Sequence, residues 1–238
     1  MNKIVIYTSI FGKYDTLPDI TYHPPGCDFI CFTDSNIQAS GWEVIKVLPL
    51  YSDHTRNAKR YKILPHRYLK DYEISIYMDG NFSIIKDINE LINLYLTDTT
   101  AAFHDHDKNA LDSRNCIYQE AEAILWFGER NIKVTPDRGV LNFKDNPEII
   151  KKQIKRYITN CYPKDMGLIV GGIILRRHNE KECIHTMENW WSEIKYYSKR
   201  DQLSFNYIAW KTNFKFNYIP HDTRNSEYFL YTKHNHQK

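Results

Sequence analysis

Ile74-Ser75-Ile76-Tyr77-Met78-Asp79-Gly80-Asn81 decides how this chain is read. The first five residues are mostly apolar and include β-branched ones, the pattern of a buried strand. The run stops where a carboxylate and an amide stand two residues apart, at Asp79 and Asn81. On extended backbone that spacing puts both side chains on one side, and Gly80 lets the chain turn between them. Open α/β sheets bind ligands beyond the carboxyl ends of their strands. Oxygen donors of this kind suit hard cations such as Mg2+ or Mn2+, which also take substrate phosphates as ligands. Asp-Gly-Asn is also a good β-turn sequence, so the chemical reading depends on what surrounds it.

Working outward, apolar runs bounded by turn residues predict further strands over 3–10, 28–33, 42–48, 100–104, 166–176 and 214–219. Helical spacing predicts helices over 53–64, where Pro65 interrupts, and over 88–96, 114–128, 147–157, 182–197 and 202–210. Strands alternating with helices through the first hundred residues predict one α/β domain with a mostly parallel central sheet covered by helices. No repeat or linker divides the chain. The expected domain runs over 1–230, with a loose polar tail over 231–238.

Composition narrows the function classes. At 238 residues, 42% hydrophobic and 26% charged, the chain is long enough to bury a core without disulfides or a structural metal. Its five cysteines include no second close pair to complete a four-thiolate zinc site, so reduced buried thiols are expected. A net charge of +3, with Lys and Arg interspersed among Asp and Glu, gives no basic stripe for nucleic acid. No apolar run approaches the ~20 residues of a membrane span, and the apolar run at 4–10 is too short for a signal peptide, so a soluble cytoplasmic protein is expected. The 14% aromatic content, with eighteen tyrosines, suits both a core and the stacking of sugar rings.

Other clusters invite chemistry. Arg56, Lys59 and Arg60 share a helical face by i, i+3, i+4 spacing and match phosphate geometry, or else form a solvated basic face. His104-Asp105-His106-Asp107 reads as a polar loop after a strand, with a second metal site as the alternative. Gly171-Gly172 allows close backbone approach to a ligand, or a bulge in a strand. Trp190 and Trp191 are adjacent on a helix and cannot share one face, so at least one belongs to the core.

Several segments, taken in order, resemble one family. They are IVIYTSIFGKYD at 4–15, YMDGN at 77–81, CIYQEA at 116–121, RRHN at 176–179, NWW at 189–191 and RDQLSFNY at 200–207. Together they resemble the plant mucilage-related glycosyltransferase-like domain, long catalogued as a domain of unknown function, with bacterial and viral relatives. That family is similar to the GT-A nucleotide-sugar glycosyltransferases. Strand–Asp-x-Asn resembles their Asp-x-Asp signature, with Asn81 in place of the second acid. The resemblance spans about 4–221 and implies a GT-A-like, Rossmann-like fold. It also implies transfer of a sugar from a nucleotide-sugar, a UDP-sugar by expectation, to a glycan or other hydroxyl acceptor.

Carried over by position, the resemblance implies that Thr8, Ser9, Tyr14 and Asp15 line the nucleotide pocket, with Tyr14 against the base. Arg56 and Arg60 would steady the diphosphate, and Gly171 and Gly172 would approach the donor sugar. Asp79, Asn81 and a histidine near the C-terminus, His221 rather than His234 or His236, would hold Mn2+ or Mg2+. Asp201 and Gln202 would face the reacting sugar. There Asp201 is a general base for inversion, a charge stabiliser for retention, or an N-cap of the following helix. His104 and Arg114 would meet the acceptor. Two rival functions remain. One is a metal-dependent hydrolase using His104 and His106, since a plant member has been associated with lipid-amide cleavage. The other is a carbohydrate-binding protein without catalysis.

Overall fold

The computed structural model describes residues 3–130 and 145–233. Its largest sheet is built from β1 (Ile4–Ile10), β2 (Cys27–Thr33), β3 (Glu43–Lys46), β4 (Ile74–Met78), β6 (Ala101–Asp105), β7 (Ile169–Arg176) and β8 (Asn217–Ile219). Strand order is β3-β2-β1-β4-β7-β6-β8. β1 runs parallel to β2 and β4, β2 to β3, and β6 to β8, whereas β7 is antiparallel to both β4 and β6. The sheet is therefore mostly parallel, as expected, with β7 reversed. An apolar run such as IVGGIILR carries no mark of strand direction, because both faces of the sheet are buried.

Strict alternation on β1 feeds two cores. Val5 and Tyr7 enter one hydrophobic layer, Ile4 and Ile6 the other. The first layer is covered by α1 (His54–Ile63), α3 (Ile117–Glu129), α4 (Pro147–Thr159), α5 (Lys181–Tyr196) and α6 (Phe205–Thr212). The second is covered by α2 (Asn89–Tyr95) and by a small ribbon of β5 (Phe82–Ile84) and β9 (Phe229–Tyr231). Trp190 and Trp191 are both buried in the first layer, so neither is spare for a ligand.

Three boundary differences bear on the site. Residues 201–203 form a 3-10 turn, and α6 begins only at Phe205 with Ser204 at its N-cap position, so Asp201 does not cap that helix. α3 begins at Ile117, which leaves Arg114 on the preceding segment. Tyr231, placed at the start of a loose tail, pairs with Phe82, and Thr232 donates its N–H to the Asn81 carbonyl at 2.9 Å. Strands of three residues are too short to show a period, so β5 and β9 carry no signal in the sequence. His234 and His236 lie outside the described residues.

α1 is held at both ends. Asp53 caps it by accepting the Thr55 N–H at 2.9 Å. Its far end is held by Arg176, a fully buried guanidinium that donates to the Lys62 carbonyl at 2.7 Å and to the Tyr7 hydroxyl. A cation at a helix C-terminus offsets the partial negative charge of the unpaired carbonyls.

Two buried imidazoles tie stability to pH. His104 Nδ1 donates to the His221 carbonyl and His178 Nε2 to the Leu69 carbonyl, each at 2.9 Å. Burial pulls each ring down from 6.5 to about 4, the carbonyl bonds offsetting only part of the effect. The unfolded chain therefore takes up protons first as pH falls. Stability is at its full value above about pH 6.5 and declines steadily towards pH 4, which chemical denaturation across that window measures. His178→Asn is expected to flatten part of the decline, and a midpoint unchanged between pH 6.5 and 4 contradicts the assignment.

Candidate functional site

A cleft of about 440 Å³ opens where β1 and β4 end and is flanked by one face of α1. From α1 it receives Thr55, Ala58, Lys59 and Lys62, which recur at helical spacing. From the β4 end come Asp79, Gly80 and Asn81, and from β7 Gly171 and Gly172.

At its centre is a buried three-charge cluster. Lys59 Nζ stands 2.7 Å from Asp201 Oδ1, and Lys62 Nζ stands 2.7 Å from Asp201 Oδ2. Lys62 Nζ is also 3.6 Å from Asp79 Oδ1. Burial alone would raise the Asp201 carboxyl, but the two ammoniums hold it well below the usual carboxylate range. Burial draws Lys59 down to about 8, only partly countered by Asp201 and reinforced by repulsion from Lys62. Burial acts on Lys62 as well, yet Asp201 and Asp79 together outweigh it and raise Lys62 above its ordinary value. The two lysines differ because only Lys62 has a second carboxylate. Glycine at 171 makes room for this cluster: a Cβ there would lie 2.9 Å from Asp201 Oδ2 and 3.2 Å from Lys62 Nζ. The indole of Trp190 donates to the Asp201 carbonyl at 3.2 Å and fixes the turn that carries it.

A second charged network forms another part of the wall. Glu120, buried at the start of α3, accepts from Arg114 Nε at 2.9 Å and from Arg200 Nη2 at 3.0 Å. Arg200 also donates to Gln202 Oε1 at 3.0 Å, and Gln202 Nε2 donates to the Ile169 carbonyl at 3.1 Å. The side chain that resemblance assigned to the sugar is thus held in place beside the cleft.

The sequence profile of the TOD1/MUCI70, glycosyltransferase-like domain family matches residues 30–234, most of the chain and both charged networks. The chain belongs to this family. Its similarity to "Probable hexosyltransferase MUCI70" of Arabidopsis thaliana is 30% identity over 187 residues, 76% of this chain. The chain spans about 30% of the length of that plant relative. Among solved structures, the apo form of the bifunctional glycosyltransferase WbbM aligns with 94% of this chain and 39% of its own, at 12% identity and a TM-score of 0.45. A likeness that loose carries no argument about mechanism.

The TOD1/MUCI70 match begins after β1, so Ser9, Tyr14 and Asp15 are placed by the structure rather than by the family. All three line the cleft, and Ser9 Oγ donates to the Ala58 carbonyl at 2.9 Å. Thr8 does not line it. Alternation along β1 turns this fully buried side chain to the opposite side of the sheet from Ser9. Arg56 and Arg60 are not in the cleft either. Arg56 is spent on the Ile194 and Tyr197 carbonyls at 3.1 and 3.0 Å, tying α1 to the end of α5. Arg60 lies over the Tyr68 ring at 5.4 Å. Of the three basic residues singled out on this helix, Lys59 faces the site, joined by the unforeseen Lys62. The signal was available: Lys62 follows Lys59 at i+3 and Ala58 at i+4, one continuous stripe.

His221 is likewise elsewhere. It is exposed and borders a separate cavity of about 130 Å³, shared with His104. The His104–Asp107 cluster does not converge. A bulge between Phe103 and His104, and the 3-10 turn that starts at His106, send His104 to the small cavity and His106 to the cleft. Asp105 caps the turn at Asp107 N, and Asp107 accepts from Ser113 Oγ at 2.8 Å.

Among the described residues no three His, Cys, Asp or Glu side chains gather around a common metal position. What remains for a hard cation is Asp79, whose side chain is 40% exposed, and Asn81. The Asn81 amide donates to the Thr232 carbonyl at 3.0 Å, while its Oδ1 is enclosed and has no partner. A carboxylate and an unpaired carbonyl oxygen fit a Mg2+ or Mn2+ ion that takes its other ligands from phosphate and water.

Asp201 is expected to be structural as well as functional. Asp201→Asn leaves Lys59 without its counter-ion and Lys62 with only Asp79. Removing one partner of a buried ion cluster typically costs about 3–5 kcal/mol, so a clear loss of unfolding free energy is expected by urea titration. A loss below about 1 kcal/mol, the range of a surface pair, contradicts the buried cluster.

Proposed function

We propose that this chain transfers a hexosyl group from a nucleotide-sugar, a UDP-sugar by preference, to a hydroxyl of a glycan or similar acceptor. The observation that carries this reading is the convergence, in one cleft of a TOD1/MUCI70 family member, of Asp79 and Asn81 with the Lys59–Asp201–Lys62 cluster. Tyr14 lines the same cleft and offers a face for the base, and Ser9 and Asp15 line it too. Asp79 and Asn81 would hold a divalent cation, which when bound would neutralise charge on the departing diphosphate. Lys59 and Lys62 add fixed positive charge on the same side, as electrostatic stabilisation requires.

Two lysines within 2.7 Å make Asp201 a poor general base. A carboxylate held far below neutrality has little drive to take a hydroxyl proton near pH 7. Its role is to hold the Lys59 and Lys62 ammoniums in place at the cleft. Gln202, fixed by Arg200 and the Ile169 carbonyl, presents its amide to the sugar hydroxyls.

A thermal-shift screen of nucleotide-sugars with and without Mn2+ tests this reading. A true donor at 100 times its Kd adds about 2.7 kcal/mol to stability. Asp79→Ala is expected to abolish the metal-dependent part. Equal shifts for wild type and Asp79→Ala would remove the site from consideration.

Donor affinity is also expected to fall as pH rises through about 8, where Lys59 loses its charge. Folded Lys59 titrates below its usual value, so the cation is present beneath that pH and lost above it. In UDP binding by calorimetry, Lys59→Arg should hold its affinity to higher pH. A wild-type affinity that is flat from pH 7 to 9 argues against a role for Lys59.

A further inference from the structure

The two oxygens of Asp79 have different surroundings. Oδ1 accepts the Tyr77 hydroxyl at 2.8 Å and has Lys62 Nζ at 3.6 Å. Oδ2 faces Gly172, where a Cβ would lie 3.5 Å from it. The Asp79 N–H is fixed to the Gly172 carbonyl at 2.8 Å, so the backbone cannot swing the carboxylate round.

Tyr77 is itself held. It is buried, and its ring meets the edge of Tyr7 at a centroid distance of 5.4 Å. Lys62 Nζ lies 4.8 Å from the Tyr77 ring centroid. The Tyr7 hydroxyl donates to the Lys62 carbonyl at 2.8 Å and receives Arg176. A single packed unit, Arg176–Tyr7–Tyr77–Lys62, therefore grips one Asp79 oxygen from two directions.

We infer that Tyr77 is a positioning residue that occupies Asp79 Oδ1 and reserves Oδ2 for the ligand, so that Asp79 binds a divalent cation through one oxygen. This inference rests on the proposed role of Asp79. A carboxylate free to rotate would compete between bidentate metal binding and the Lys62 ammonium. With Oδ1 tied down, the cation meets one preset oxygen, and Lys62 remains available to the diphosphate. Groups that orient a metal-binding carboxylate typically contribute 10–100-fold in metal affinity.

The test compares wild type, Tyr77→Phe and Asp79→Ala, with Mn2+ and UDP as probes. Free Mn2+ is counted by electron paramagnetic resonance at saturating UDP, and UDP binding without metal is measured separately. Tyr77→Phe keeps the ring against Tyr7 and Lys62, and the thermal midpoint monitors the fold. The expected result is an Mn2+ dissociation constant raised about tenfold in Tyr77→Phe, with metal-free UDP binding unchanged, and a larger loss in Asp79→Ala. A merely structural role would weaken UDP binding with and without metal alike, and that outcome overturns the inference. So does a Tyr77→Phe protein that binds Mn2+ as tightly as wild type while Asp79→Ala does not, which leaves the role of Asp79 intact. If wild type and Asp79→Ala bind Mn2+ equally, both the role of Asp79 and that of Tyr77 fall together.

Discussion

Lys59 and Lys62 project from the same face of α1 onto one carboxylate, Asp201, which arrives from the far end of the chain on a 3-10 turn. Each of these charges would be costly if buried alone. Each lysine is tolerated because Asp201 stands 2.7 Å away, and Asp201 because it has both lysines. That mutual requirement fixes α1 against β7 and against the turn before α6. It also determines that residue 171 carries no side chain, since a Cβ would stand 2.9 Å from the carboxylate. The cleft is the space left on the open side of this cluster.

The support beneath it has no carboxylate. Arg176 is fully buried and donates to the Tyr7 hydroxyl and to the Lys62 and Ile63 carbonyls. Its charge complements the carbonyl end of α1, so one guanidinium ends a helix and locates the lysine on it. Stability and binding geometry are in this way linked through shared atoms, which makes the interior of the first core layer part of the site. The glycosyl-transfer reading gains from this arrangement because fixed cations cost no reorganisation when negative charge develops.

The fold was largely legible. β1, β2 and β4 follow from apolar runs closed by turn residues, and Pro65 ends α1 as its missing N–H requires. Asp79, Asn81, Asp201, Gln202 and the glycine pair were singled out from motifs, and all of them line the cleft. Thr8 and Ser9 show how narrow the margin is: one step along a strand exchanges the two faces of the sheet. Arg56 and Arg60 show the same on a helix, where a basic stripe does not reveal which of its members faces a ligand and which ties down a neighbouring helix.

What the sequence determined by itself was local: the strand that ends in Asp79-Gly80-Asn81, the helix that carries the lysines and the burial pattern of the core. These depend on residues a few positions apart, whose periodicity is written along the chain. Tertiary structure alone decided the reversed direction of β7, the meeting of residues 59 and 62 with residue 201, the separation of His104 from His106 and the removal of His221 to another cavity. The distances involved are set by how two layers of helices and strands pack on one sheet, and no spacing in the chain encodes them.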